Sequence, residues 1–322
     1  MKKIVILFSA FLFCAMFSFS QTINEAGEKY NAGNTNLKDK DYAAAVVNYQ
    51  EALSICNALG EEGAELGSQI ARYLPIAQVN YAKALIKTKD NDKAMEILQD
   101  VLVTANASGD EKSIKSAKSL ISSIYLADAS AAYNAKNYDE AVAKCDLALE
   151  YNNTLAKAYL FKALSYKELE KDDELILAAN EAMRYSKSHN DDKTYTQAQQ
   201  TGNTYFLNKA QKLIQSKKYE EAVTALDLAL TFDAANESTY YYKTSCLNNL
   251  KNYKEAINTG LLGLQVESES SEMRAGISLE LARAYEATND TANACTYYSA
   301  AAASPNFKEE ANYKMKDVLK CN

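Results

Sequence analysis

The stretch Tyr219-Glu220-Glu221-Ala222-Val223 returns further along the chain as Tyr253-Lys254-Glu255-Ala256-Ile257. Both copies follow a polar loop and run tyrosine, two variable residues, alanine and an aliphatic residue. Two further full copies are Tyr42-Ala43-Ala44-Ala45-Val46 and Tyr138-Asp139-Glu140-Ala141-Val142. Three weaker copies end at Ala94-Met95, Leu175-Ile176 and Ala294-Cys295. A pattern that recurs in this way predicts a chain of stacked structural repeats.

The anchor positions of these copies are 45, 94, 141, 175, 222, 256 and 294, and the spacings between them are 49, 47, 34, 47, 34 and 38. Small residues such as Ala148 and Ala229 recur at matching positions of the copies. We therefore predict a repeated unit of about 34 residues, with inserts at 60–74, 109–121 and 190–202.

This period and these positions closely resemble the tetratricopeptide repeat (TPR), a helix–turn–helix unit. The resemblance covers roughly residues 26 to 308, although Trp is absent and Leu175 replaces the expected alanine. It implies an all-α fold, a right-handed TPR superhelix (α-solenoid) of about seven repeats plus a C-terminal cap helix. The predicted repeats, within a solenoid over 21–322, are 26–59, 75–108, 122–155, 156–189, 203–236, 237–270 and 275–308, and the cap helix is 307–320.

Two of the predicted repeat pairs, 122–189 and 203–270, look like a duplication. The stretch Cys145-Asp146-Leu147-Ala148-Leu149 of the first copy aligns with Leu226-Asp227-Leu228-Ala229-Leu230 of the second. The insert at 109–121 is predicted to lengthen the following first helix. Pro75 lies in another such extension and is predicted to kink the helix or to start it there.

The amino-acid composition argues against several folds and several classes of function. The chain of 322 residues has 10 Gly, 2 Pro, 1 His and a net charge of −7. Few turn-forming residues disfavour a β-rich fold, and the lack of a basic excess disfavours nucleic acid as a partner. No phosphate-binding loop, dinucleotide fingerprint, HExxH or GxSxG motif occurs. We therefore predict no enzymatic activity, no cofactor and no metal site, with His189 in a loop.

The first twenty residues predict a secretory signal. Lys2 and Lys3 precede an apolar run over 4–19, and Ser18 and Ser20 are small residues at a cleavage site. We expect export to the periplasm, with secretion or surface association as alternatives, and no other membrane-spanning segment. An uncleaved anchor, or a lipoprotein lipidated at Cys14, are the other interpretations.

Export favours disulfide bonds. Cys295 would open the second helix of the last repeat and Cys321 would end the cap helix. If these helices are antiparallel around Pro305, both cysteines lie near the same end, and we predict that they are bonded. Cys145 and Cys246 are predicted to pack in the core.

In the family that the sequence resembles, the first helix of each repeat lines a concave groove. The binding residues predicted on this basis are Tyr30, Asn34, Val79, Lys83, Leu126, Tyr133, Leu160, Lys167, Leu207, Gln211, Tyr241, Asn248, Leu279 and Arg283. Their mixed chemistry suits an extended peptide or an amphipathic helix, although any one of them could instead pack between repeats. We therefore predict a non-catalytic scaffold of the bacterial cell envelope that binds protein or peptide partners. The alternative is a peptide- or glycan-binding module of a surface transport or assembly complex.

Overall fold

The computed structural model describes residues 22–267 and 271–321, so the predicted signal and Cys14 lie outside the described residues. The described chain is helical: α1 (Ile23–Lys38), α2 (Tyr42–Leu59), α3 (Ala64–Lys87), α4 (Asn91–Ser108), α5 (Glu111–Asn134), α6 (Tyr138–Tyr151), α7 (Ala156–Glu168), α8 (Asp172–Ser188), α9 (Asp192–Gln215), α10 (Tyr219–Phe232), α11 (Glu237–Asn249), α12 (Tyr253–Gln265), α13 (Ser271–Ala287), α14 (Thr291–Ala301) and α15 (Pro305–Tyr313). Successive helices pack as hairpins, and α15 follows the last of them. The predicted all-α fold of TPR-type hairpins with a terminal helix is confirmed.

The chain forms two compact units. The first unit comprises the described residues up to Ile124, and the second unit comprises those from Tyr125 onwards. The first contains α1 to α4 and the beginning of α5, and the second contains the rest of α5 and all later helices.

Each turn inside a hairpin uses the same backbone device. A residue with positive φ lies two positions after the end of the first helix, and it is a lysine in five turns: Lys40, Lys89, Lys136, Lys217 and Lys251. The next residue donates its N–H to the carbonyl five positions earlier, as Asp41 does to Asn36 at 2.9 Å, which is the Schellman arrangement. Asp41 then caps α2 by accepting from the Ala44 N–H at 3.2 Å. These turns explain how a chain with few glycines makes so many reversals.

Three first helices are long. α3, α5 and α9 each have 24 residues, because the residues of the predicted inserts join the helix that follows them. Pro75 lies inside α3, which begins at Ala64. The alternative that a helix starts at Pro75 is therefore wrong.

The predicted duplication is visible in repeated contacts within the second unit. Lys162 Nζ lies 2.6 Å from Asp146 Oδ1, and at the equivalent positions of the second copy Lys243 Nζ lies 2.6 Å from Asp227 Oδ1. The aromatic pairs Tyr125–Tyr151 and Phe206–Phe232 stack at 6.2 and 6.1 Å between ring centroids. The structural contacts of one pair of repeats thus return in the other.

The end of the chain is held against the last hairpin. α15 begins at Pro305 and gives way at Lys314 to a short π-helical turn, so the α-helical part is shorter than the predicted 307–320. Phe307, Ala311, Met315 and Leu319 pack against an apolar cluster of α13 and α14. Cys295 and Cys321 form a disulfide, the pair that the sequence predicts.

Candidate functional site

A groove runs between two neighbouring first helices of the second unit, α7 and α9. Its volume is about 810 Å³. Its lining is polar, with amides, hydroxyls, three lysines and two glutamates: Leu164, Lys167, Glu168, Glu170, Gln197, Gln200, Thr201, Thr204, Tyr205, Asn208, Lys209 and Lys212. This concavity lies on the row of helices that the sequence assigns to binding, and we take it as the candidate site.

The residues that the sequence predicts for the α7–α9 groove agree with its lining on α7 but not on α9. Lys167, which it predicts, lines the groove from α7. On α9 it predicts Leu207 and Gln211, whereas the lining residues are their neighbours Asn208 and Lys212. Leu207 instead packs against the cluster around Ala210 and Leu226. A shift of one position turns a helical side chain by about 100°, enough to exchange a groove residue for a packing residue.

Asp172 fixes one edge of the groove. Its carboxylate accepts a hydrogen bond from the Tyr205 hydroxyl at 2.6 Å and another from the ammonium of Lys209. Burial by itself raises the pKa of Asp172, but the bonds from Lys209 and Tyr205 outweigh it and hold this pKa below its usual value. Burial is the largest of the causes that raise the pKa of Tyr205, and the hydrogen bond to Asp172 is the next. Both groups therefore keep fixed charge states near neutral pH and orient this wall.

Of the remaining polar groups of the groove, some are paired within the protein, among them the Thr201 hydroxyl, and others are open to a partner. Lys167 Nζ pairs with Glu168 Oε1 at 3.0 Å. Within the described part of the chain, the other polar lining side chains that make no hydrogen bond or ion pair include Gln197, Gln200, Thr204, Asn208 and Lys212. Amides and hydroxyls both donate and accept, so this set can bond to the N–H and C=O groups of an extended peptide or to the hydroxyls of a sugar.

The internal duplication shows that packing does not require this set. In the alignment that matches Lys162 with Lys243, the positions equivalent to the five unpaired side chains hold only small residues: Ser116, Ser119, Ser123, Ala127 and Ala131. Within the duplicated pairs 122–189 and 203–270, the Lys–Asp and aromatic contacts are retained. The α9 wall thus differs between the copies, while the contacts of the framework do not.

Three predicted groove residues lie in the interior instead. Val79, Leu160 and Leu279 are 5%, 5% and 3% exposed. Their side chains cannot reach a partner on the surface, and their assignment to the groove is wrong. An aliphatic residue at helical spacing is compatible with either side of a first helix, and only the packing decides between them.

Other predicted residues mainly pack or pair inside their own unit. Asn34 Oδ1 accepts from the Tyr49 hydroxyl at 2.7 Å, and the Tyr30 ring lies 6.1 Å from the Tyr49 ring. Tyr133 packs against Tyr138 and Phe161, and Leu126 packs against the cluster that contains Ala129. Tyr241 is half-buried beside Tyr242, and Lys83 is exposed.

Asn248 and Arg283 belong to a network between α11 and α13. Asn248 donates to the Glu280 carbonyl and to its Oε2, both at 2.8 Å. Arg283 pairs with Glu280 at 2.7 Å and with Glu310 of α15 at 2.7 Å. This junction faces a smaller cavity of about 270 Å³, and its charges are largely satisfied from within. It therefore anchors the end of the chain, and the α7–α9 groove offers more free groups.

Comparison with known proteins adds the following. No protein-family model matches the chain, and no curated protein matches its sequence. Solved structures of TPR proteins resemble it, among them YrrB, a TPR protein with an unusual peptide-binding site (16% identity, 60% of this chain, 91% of that chain, TM-score 0.33). The TPR2AB domain of yeast Sti1 in its pHSP90 complex is 14% identical over 92% of this chain and 97% of that chain, with a TM-score of 0.37. A tetratricopeptide repeat protein from Parabacteroides merdae is 12% identical over 93% of this chain and 100% of that chain, with a TM-score of 0.31. Because these TM-scores are below 0.5, the fold assignment stands on the chain's own helical hairpins.

Among the described residues, no helix has the length and apolarity needed to cross a membrane.

Proposed function

We propose that this protein is a non-catalytic scaffold that binds an extended segment of a partner protein in the α7–α9 groove. The observation that carries the proposal is the row of unpaired amide, hydroxyl and ammonium groups along α9. An extended segment presents unpaired backbone N–H and C=O groups, which side chains of this kind can satisfy.

The proposal includes the cell envelope as the place of action. It is supported by the signal-like pattern at 1–20 and by the disulfide between Cys295 and Cys321, since disulfides persist in oxidising compartments. Fractionation of cells and N-terminal sequencing of the exported chain test this part separately.

Site-specific photocrosslinking tests the groove. A photoreactive amino acid at Thr204 should capture one defined segment of one partner, as identified by mass spectrometry, whereas the same group at exposed Asn180 on α8 should not. Equal capture at both positions would contradict binding in the groove.

A double variant, Gln200→Ala with Asn208→Ala, measures the contribution of the amides. Each hydrogen bond contributes about 0.5–1.5 kcal/mol, so losing two or more should weaken binding of the captured segment about tenfold. The matched control is Gln99→Ala with Asn180→Ala, two exposed amides on second helices. The proposal requires that the control bind as the wild type does.

A peptide- or glycan-binding module of a transport or assembly complex is the second candidate. Glycan binding is favoured by a group of uncharged polar residues beside the Tyr205 ring: Gln197, Gln200, Thr201 and Thr204. Sugars combine contacts through their hydroxyls with packing on an aromatic face. A glycan array with the wild type and the Gln200→Ala, Asn208→Ala variant distinguishes the two. Glycan binding that the variant loses would favour this candidate over the scaffold.

A further inference from the structure

Helix α3 of the first unit presents a second surface, with different chemistry. Arg72, Tyr73, Ile76, Asn80, Lys83 and Lys87 follow the helical spacing of one face, which we call the α3 face. This face runs from Arg72 to Lys87, a length of about 22 Å along the helix. It belongs wholly to the first unit, and the inference does not depend on the α7–α9 groove.

The α3 face is positively charged in an acidic protein. The chain has 42 acidic and 35 basic residues, yet the only acid in α3 is Glu65, in its first turn. Arg72, Lys83 and Lys87 are exposed, and none of them forms an ion pair with an acid in the described parts of the chain. A solvated helix face usually mixes both charges, so three unpaired cations on one face indicate an anionic partner.

Two exposed apolar side chains lie on the α3 face between Arg72 and Lys83. Tyr73 and Ile76 are each 42% exposed and are one turn apart. The Tyr73 ring lies 6.4 Å from Tyr49 and 6.1 Å from Tyr30, which hold it in place. A side chain that is already held loses little entropy on binding, and paired apolar residues of this kind are typical centres of protein interfaces.

We propose that the α3 face binds an acidic protein segment that carries a large apolar side chain. The apolar side chain lies over Tyr73 and Ile76, and its flanking carboxylates pair with Arg72 on one side and with Lys83 and Lys87 on the other. Three cations over about 22 Å match one short segment. An extended polyanion such as nucleic acid or an anionic membrane would reach beyond these three cations to the acidic remainder of the chain, which would repel it, whereas a short segment stays on the α3 face.

A labelled peptide tests this proposal on the full chain. The probe is a fluorescein-labelled peptide of about 16 residues of glutamate, alanine and leucine with one central phenylalanine, long enough to follow the face. Its partner probe has glutamine in place of every glutamate. Fluorescence anisotropy should show the glutamate peptide binding at least about tenfold more tightly, with the difference shrinking between about 50 mM and about 500 mM salt.

Two variants assign that binding to α3. The triple variant Arg72→Glu, Lys83→Glu, Lys87→Glu should weaken binding of the glutamate peptide at least about tenfold. Ile76→Ser should weaken both peptides by a similar factor, about three- to tenfold, because it removes the apolar contact and leaves the charges in place. The matched control is Lys187→Glu, Lys193→Glu, Lys308→Glu, three exposed lysines of the second unit. It should change affinity less than about twofold.

Four results would overturn the proposal. The first is that neither peptide binds, and the second is that the control variant weakens binding as much as the α3 variant does. The third is self-association in light scattering that the α3 variant abolishes, which would make a second copy the occupant. The fourth is binding to phosphatidylserine vesicles without binding to the peptide. Circular dichroism on each variant verifies that the helices remain.

Discussion

Breaking the disulfide between Cys295 and Cys321 is the perturbation whose effect can be worked out most fully. The bond joins the start of α14 to the end of the chain and closes a loop with a sequence separation of 26 residues. In the loop-entropy model, a loop of this length stabilises the folded state by about 3.5 kcal/mol. We expect the variant Cys295→Ala, Cys321→Ala to lose up to that amount locally.

The loss should be confined to the end of the chain, because other contacts remain there. Arg283 still pairs with Glu310, Lys314 Nζ lies 2.8 Å from Glu286 Oε1, and Phe307 and Met315 stay packed. Contacts of exposed or half-exposed pairs contribute about 0–1 kcal/mol each. They should hold α15 in place only part of the time once the bond is gone.

Hydrogen exchange followed by mass spectrometry measures this directly. Amides of 305–321 should exchange up to about 400-fold faster in the double variant, which is the factor for about 3.5 kcal/mol. Amides of α1 and α2, in the other unit, serve as the internal control. Unchanged exchange over 305–321 would refute the reasoning and would mean that the packed side chains alone hold this segment.

Three further predictions concern packing and titration. A Cβ on Gly202 would lie 2.5 Å from the Phe232 ring, so Gly202→Ala should cost about 1–3 kcal/mol in chemical denaturation despite its better helix propensity; an unchanged midpoint would contradict this. Asp172→Asn should lower the melting temperature at neutral pH. The difference should shrink as the pH falls and should vanish below the depressed folded pKa of Asp172; a difference that persists in acid would contradict the linkage. Burial raises the pKa of Cys145 and of Cys246 to about 12, so iodoacetamide at pH 8 should label neither thiol until the chain is unfolded.

The sequence by itself determined the repeating architecture of this protein. The Tyr-x-x-Ala pattern, the helical spacing of small residues and the polar turns are local signals, and each hairpin forms from residues close together in the chain. The duplication can be read from the repeated residues themselves. The pairing of Cys295 with Cys321 follows from the order of the helices, because short turns make successive helices antiparallel neighbours. A regular turn built on lysine, as at Lys217, escaped prediction, because left-handed backbone is usually read from glycine or asparagine.

Only the tertiary structure decided which side of each first helix faces outward. Val79 and Leu160 are interior, while Asn208 lines the groove in place of Leu207. The physical reason is rotational: one residue turns a helix by about 100°, and that rotation is set by packing against neighbouring helices. The same packing decides which polar groups are satisfied internally, as in Asn248 with Glu280, and which stay free to bind, as in Asn208.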